Sequence, residues 1–398
     1  MSISSQIGST MQRSSWIRRM FDQGIELKQK YGETNVFDFT LGNPSMEPPR
    51  EFKEALIAAA TDPRPGLHRY MPNAGLPEVR SAIAESVSRE HGIHLTARHV
   101  VMTTGAACAL NVALKALLDS GDEVITLAPY FVEYLFYVPN HGGVNRIAET
   151  RSDFGLDLEA IAEALGPRTK ALILNSPNNP TGVIYPEEDL KRLNDLLAGH
   201  ERNTGRPVYV IHDDPYRRLI YDGHKEASSL KIFDHGIFCT SHAKDISIPG
   251  ERIGYLAVRP DAADADALMD ACAFTIRVLG FVNAPALMQR VVAGIQHVTV
   301  DVEVYRRKRD LLLDALLEIG YRCVRPQGAF YLFPESPIPD DVAFTRSLME
   351  HRVMAVPGSG FGRQGHFRLA YCVEDSTIQG SLAGFKAAFD QAQRLTQS

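Results

Sequence analysis

The chain has 398 residues, more than one ordinary core accommodates, so two domains or one large domain with a satellite are expected. Apolar residues make up 44% and charged residues 23%, an ordinary globular composition, and the formal net charge of −6 argues against a nucleic-acid partner held on a basic face. Five scattered cysteines (Cys108, Cys239, Cys272, Cys323 and Cys372), with no C-x-x-C pair, argue against a disulfide framework or a metal site and for a reducing, cytoplasmic compartment.

In chain order, residues 1–21 contain no apolar stretch of signal-peptide type, and no run of about 18 apolar residues occurs anywhere, so no membrane span is expected. Trp16 reads as a packing anchor. HVVMTTG reads as a strand and ACALNVALKALLDSG as a helix ended by Gly121. DEVITLAPY, TKALILNSP, PVYVIHDD, GIFCTS and IGYLAV then read as strands apolar on both faces. Such strands belong in a buried, mostly parallel sheet, and EEDLKRLNDLLAGH reads as an amphipathic crossover helix between two of them. Beyond this α/β region come a long helical stretch from Ala284, then YRCVRPQGAFYLF, VMAVPGSGF and HFRLAYCV as strands, and a last helix from about Asp375. The expected organisation is a large α/β domain over 59–290 and a smaller α+β domain formed by 1–58 with 291–398. The run Arg306, Arg307, Lys308, Arg309 reads as a solvated helix face, because Asp301, Glu303 and Asp310 interleave it.

The chemistry concentrates at strand ends. Lys244 follows an apolar strand, with Ser241 and Arg252 at fixed offsets. A lysine that is buried or flanked by a cation has a lowered pKa and can form a Schiff base with an aldehyde. Arg252 offers a fork for a phosphate and Ser241 a hydroxyl. The turn at Gly105, before the helix that starts at Ala106 and Ala107, would add backbone N–H groups and a helix dipole, the parts of a phosphate cup. Asp213 ends another strand, where ligands bind in α/β sheets. It suits either a turn or a protonated ring nitrogen, with Tyr216 placed to donate to a ring oxygen. NSPNNPTG (175–182) suits a turn or a site loop equally. Arg368, on an apolar strand, needs a partner, either a substrate carboxylate or a structural acid.

Together these segments resemble the class I/II aminotransferases, the aspartate-aminotransferase-like branch of the fold-type I enzymes that use pyridoxal 5'-phosphate (PLP). The landmarks run in family order over nearly the whole chain: LGNP (41–44), YMPNAGLPEVR from Tyr70, TTGAACALN, APYFVEY, NSPNNPTG, DDPY, SHAK with Arg252 eight residues later, and FRLAYC. The resemblance implies an α/β fold-type I transferase that moves an amino group between an α-amino acid and a 2-oxo acid. It implies Lys244 as the Schiff-base lysine and proton carrier, Asp213 as the pyridinium partner, and Tyr216 and Asn179 on the ring oxygen. Phe131 would stack on the ring. Gly105, Ala106, Ala107, Ser241 and Arg252 would form the phosphate cup. Tyr70 would reach the phosphate of a neighbouring subunit, which implies a homodimer. Arg368, with Asn179 and Gly42, would grip the substrate carboxylate. Two departures stand out. Ala106, Ala107 and Cys108 carry no hydroxyl where relatives have Ser or Thr, and Asp213–Asp214 replaces Asp-Glu. Spacing to Tyr216 favours Asp213 and leaves Asp214 open.

The same residues would serve a PLP-dependent lyase, cyclase or oxidase. A non-enzymatic PLP-binding regulator is disfavoured by the substrate arginine, and a nucleotide-binding protein by the missing glycine pattern at TTGAAC. A dicarboxylic substrate would need a second cation, and Arg18, Arg19 and Arg277 stand as equal choices.

Overall fold

The computed structural model describes residues 3–5, 7–8, 11 and 23–397, and Trp16, Arg18 and Arg19 lie outside the described residues. The chain divides into two compact units, one of residues 44–303 with 327–329, the other of residues 1–43, 304–326 and 330–398.

The larger unit is built on a seven-stranded sheet. Its strands are β1 (Val100–Thr103), β2 (Glu123–Ala128), β3 (Val144–Glu149), β4 (Thr169–Asn175), β5 (Tyr209–Asp213), β6 (Gly236–Ser241) and β7 (Gly254–Val258). They lie in the order β1-β7-β6-β5-β4-β2-β3. All neighbours are parallel except β7, which runs antiparallel to β1 and β6. Strands β1, β2, β5, β6 and β7 are buried at every residue, as expected of strands covered on both faces. One face packs on α1 (Ala106–Leu117), whose Cys108, Ala109, Val112 and Ala113 join Ile211, Ile237 and Leu256 in one core. The other face packs Leu190, Leu193 and Leu197 of α2 (Glu187–Thr204) on Leu172, Leu174 and Val210. The strand β3 carries no apolar run and is an edge strand with only Ala148 buried.

Because β1, β2, β4, β5 and β6 share one direction, their C-terminal ends come out on one edge of the sheet. Position 103, position 128, Asn175, Asp213 and Ser241 all sit there, and β7 starts there at Gly254, paired with Thr103 and Ser241. This is the edge at which open α/β sheets bind ligands.

The smaller unit pairs Phe37–Asp38 in parallel with Val353–Met354, and forms a three-stranded antiparallel sheet from Val356–Pro357, Phe367–Ala370 and Tyr331–Leu332. Helices Asp341–Glu350 and Asp375–Gln397 cover these strands. Three local expectations change. The long helical stretch breaks between Ala286–Ala293 and Val302–Ile319. Residues 321–326 form no strand; Pro326 lacks the N–H a ladder needs, and its carbonyl accepts from Arg309 Nη1 at 2.9 Å. The basic run is not a solvated face, since Lys308 and Arg309 are buried. Arg309 also pairs with Asp310 at 2.7 Å, and Lys308 donates to the carbonyl of Val373, so both act as internal struts. No helix among the described residues is long and apolar enough to cross a membrane.

Candidate active site

Asp213 is the focus of the strand-end edge. It is buried, and its Oδ2 accepts a 2.5 Å hydrogen bond from the Tyr134 hydroxyl. Its Oδ1 has no partner although it is buried. A buried carboxylate oxygen left unpaired is costly and marks a place where a donor is to be supplied. Burial pushes the Asp213 carboxyl up to about 6, against the lowering influence of Tyr134 and His212. Its backbone is held as well. Asn175 Nδ2 donates to the Asp213 carbonyl at 2.8 Å, while Asn175 Oδ1 accepts from the Asn179 N–H at 2.7 Å. One side chain thereby ties the end of β4, the end of β5 and the NSPNNPTG loop together. The loop carries two cis X–Pro bonds, at Pro177 and Pro180. Tyr216 is buried in the turn three residues after Asp213.

Lys244 sits in a single helical turn, His242–Asp245, directly after β6. Ser241 caps that turn: its Oγ accepts from the Ala243 N–H at 3.0 Å and donates to the Ile253 carbonyl at 3.3 Å. Arg252 has a left-handed backbone (φ 51°), and its Nη1 donates to the Pro249 carbonyl at 2.9 Å. The guanidinium comes to Gly105, which stands at the N-terminus of α1 with φ 96°. A Cβ built on Gly105 would lie 2.8 Å from Arg252 Nη2, so only glycine leaves this approach open. The first turn of α1 offers the N–H groups of Ala106 and Ala107 beside that cation.

Phe131 is half-buried and meets Tyr134 edge-on, centroids 5.6 Å apart, whereas Tyr130 is taken up in the core. Tyr70 belongs to the same unit and is 94% exposed. Arg277 is exposed, its guanidinium 5.4 Å from the Phe274 ring centroid.

Arg368 and Gly42 belong to the smaller unit. Arg368 is buried between the rings of Tyr331 and Phe361, at 4.8 and 4.6 Å from their centroids, and its Nη2 donates to the Thr40 carbonyl at 2.6 Å. A side chain at Gly42 would collide with Tyr331 and Phe330. The arginine is thus fixed by aromatic faces and a carbonyl.

The larger unit therefore gathers Gly105, Ala106, Ala107, Phe131, Asn179, Asp213, Tyr216, Ser241, Lys244 and Arg252 on loops along one sheet edge. Tyr134 and Asn175 were not singled out from sequence. The segment APYFVEY holds two tyrosines, and only the fold shows that the second reaches Asp213.

These groups fit a phosphorylated pyridine aldehyde. The unpaired Asp213 oxygen suits a protonated ring nitrogen, the Gly105–Arg252 approach at a helix N-terminus suits a phosphate, and the Lys244 amine suits an aldehyde. Comparison with known proteins agrees. The family model for aminotransferases of class I and II matches residues 34–383. The aspartate/prephenate aminotransferase of Thermus thermophilus is 37% identical over 376 residues, 93% of this chain and 94% of that protein. An amino transferase from Eubacterium rectale superposes with a TM-score of 0.95 at 37% identity, covering 98% of this chain and 99% of that one. The aspartate aminotransferase of Thermus thermophilus, solved with maleate, gives 0.83 at 33% identity, covering 93% and 95%. The chain belongs to the class I and II aminotransferases, and it is a PLP-dependent enzyme that moves amino groups between amino acids and 2-oxo acids.

Proposed function

We propose that Lys244 holds the cofactor and carries the proton of transamination, that Asp213 pairs with the ring nitrogen, and that aspartate is the preferred amino donor. The observation that carries the reading is the buried, half-satisfied Asp213 carboxyl at the strand-end edge. When bound, PLP supplies an electron sink that stabilises negative charge at the substrate α-carbon. The chain's own residues do the rest. Asp213 keeps the ring nitrogen protonated, and Tyr134 holds Asp213 in place by its 2.5 Å bond. Tyr216 and Asn179 serve the ring oxygen, Phe131 covers the ring face, and Gly105, Ala106, Ala107, Ser241 and Arg252 take the phosphate. The Lys244 amine moves the proton as general base and acid. Arg368, with Gly42 and Asn179, grips the substrate carboxylate and so orients the breaking bond.

The relatives' activities, as aspartate/prephenate and aspartate aminotransferases, support aspartate as donor. Purified enzyme supplied with single amino acids and 2-oxoglutarate is expected to transfer nitrogen fastest from L-aspartate, by at least about tenfold, a difference of ~1.4 kcal/mol. A faster aromatic or branched donor would contradict the assignment. Formation of ammonia, or consumption of oxygen, in place of a new amino acid would favour a lyase or oxidase.

The reading includes a cytoplasmic homodimer with shared sites. The domain expected over 59–290 lies within the larger unit of residues 44–303 and 327–329, and holds the cofactor. A tyrosine that is 94% exposed in a single chain, Tyr70, is what a residue donated to a neighbour looks like, and Phe274 and Val278 are exposed too. Mixing a Tyr70→Ala chain with a Lys244→Ala chain is expected to yield hybrids with one intact site, and hence activity above either parent. Hybrids no more active than the parents would contradict donation across the interface.

A further inference from the structure

Behind Asp213 lies a second set of acids that the transamination chemistry does not use. The side chains of a strand alternate between its faces, so His212 and Asp214 point away from the face on which Asp213 meets Tyr134. The loop after β5 brings Glu226 to them. Ligating atoms of His212, Asp214 and Glu226 all lie within 4.8 Å of one another, and His212 Nε2 is 3.2 Å from Glu226 Oε1. His212 is otherwise engaged, Nδ1 with Ser229 Oγ at 2.8 Å and Nε2 with the Ser176 carbonyl at 3.1 Å. One carboxylate oxygen of Asp214 lies within 4.8 Å of one of Glu226, too close in a site shielded from water for both groups to stay ionised at little cost. Asp214 is buried and Glu226 half-buried, and Oδ1 of Asp214 has no hydrogen-bond partner. The other charged groups facing the pair are Arg217 and Glu90, with His91 beyond His212. The Asp214 backbone is fixed to β6 from both sides: its N–H donates to the Cys239 carbonyl, and its carbonyl accepts from Thr240 Oγ1 at 2.6 Å.

We propose that Asp214 and Glu226 are positioning residues that share one proton, bracing the end of β5 from the far face and leaving Asp213 as the single anion offered to the cofactor ring. The proposal rests on the assignment of Asp213 to the ring nitrogen. Its physical logic is one of charge. Two ionised carboxylates at this separation in a buried site repel, and a second negative charge behind Asp213 would loosen the strand end as well as alter the field at the ring. Burial pushes both acids up, Glu226 to about 8. A carboxyl raised in the folded state adds stability below its unfolded value that is lost as pH climbs through the folded value. The brace therefore weakens from about pH 4.5 to about pH 8 and loses nothing further above that.

Glu226→Gln keeps a donor to Asp214 and removes the titration; Glu226→Ala removes both. The melting temperature of the holoenzyme should fall from about pH 5 to about pH 8 in the wild type by several degrees more than in Glu226→Gln. The cofactor's visible absorbance should show a pH step near 8 in the wild type that Glu226→Gln lacks. At pH 7, Glu226→Gln should keep kcat within about threefold, while Glu226→Ala should lose tenfold or more with KM little changed. Equal behaviour of the Gln and Ala variants across the pH range would overturn the shared proton. So would a stoichiometric metal in purified holoenzyme that Glu226→Gln lacks. Because the melting comparison does not depend on which aspartate serves the ring, a failure there is distinct from a failure of Asp213.

Discussion

Asp213→Asn is expected to lower turnover by about 10²–10³-fold, the scale of losing a charge aimed at the reacting group, while Asp214→Asn costs less than about tenfold at pH 7. The asymmetry follows from their surroundings. Each has one buried oxygen with no hydrogen-bond partner, but Asp213 is held by Tyr134 whereas Asp214 lies beside His212 and Glu226. Stability should move the opposite way when the cofactor is removed. The folded Asp213 carboxyl is raised from 3.8 to about 6 by burial, so its contribution is present below 3.8 and lost as pH rises through 6. At pH 8 the cofactor-free wild type therefore carries a penalty on the order of 3 kcal/mol that Asp213→Asn escapes. Cofactor-free Asp213→Asn should melt above the cofactor-free wild type at pH 8, and the order should reverse with PLP bound, when the protonated ring gives Asp213 its partner. If Asp214→Asn proved the more damaging to turnover, the assignment of the two acids would have to be exchanged.

Lys244→Ala is expected to lose at least about 10⁴-fold in turnover, because it removes both the covalent anchor and the proton carrier. The fold should survive. Lys244 occupies a single turn whose geometry is held by Ser241 Oγ and by β6. The variant should still bind PLP, through Arg252 and the first turn of α1. Added methylamine should restore part of the turnover by standing in for the missing amine. A variant that kept a tenth of wild-type turnover without added amine would remove Lys244 from the reaction.

How much of this was legible in the sequence depends on the range of the interaction. Strands β1, β2 and β4 to β7 are readable because each is short, apolar on both faces and closed by a turn. Strand β3 is not, since an edge strand with one buried residue has no apolar pattern to show. The motif spacing places Lys244, Ser241 and Arg252 around β6 and β7, but the approach of Arg252 to Gly105 joins residues far apart in the chain. The same holds for Tyr134 and Asp213, 79 residues apart. The basic run at 306–309 misleads for a related reason. Charge pattern along one helix cannot reveal that Arg309 is met by the Pro326 carbonyl and Lys308 by that of Val373.

The central claim, that Lys244 is the residue joined to the cofactor, is tested most directly by reducing the PLP-loaded enzyme with borohydride and mapping the labelled peptide. The account predicts a single pyridoxyl-lysine in the segment SHAKDISIPGER, at Lys244, and none in the Lys244→Ala variant. Stoichiometric label on any other lysine of the wild-type chain would contradict it.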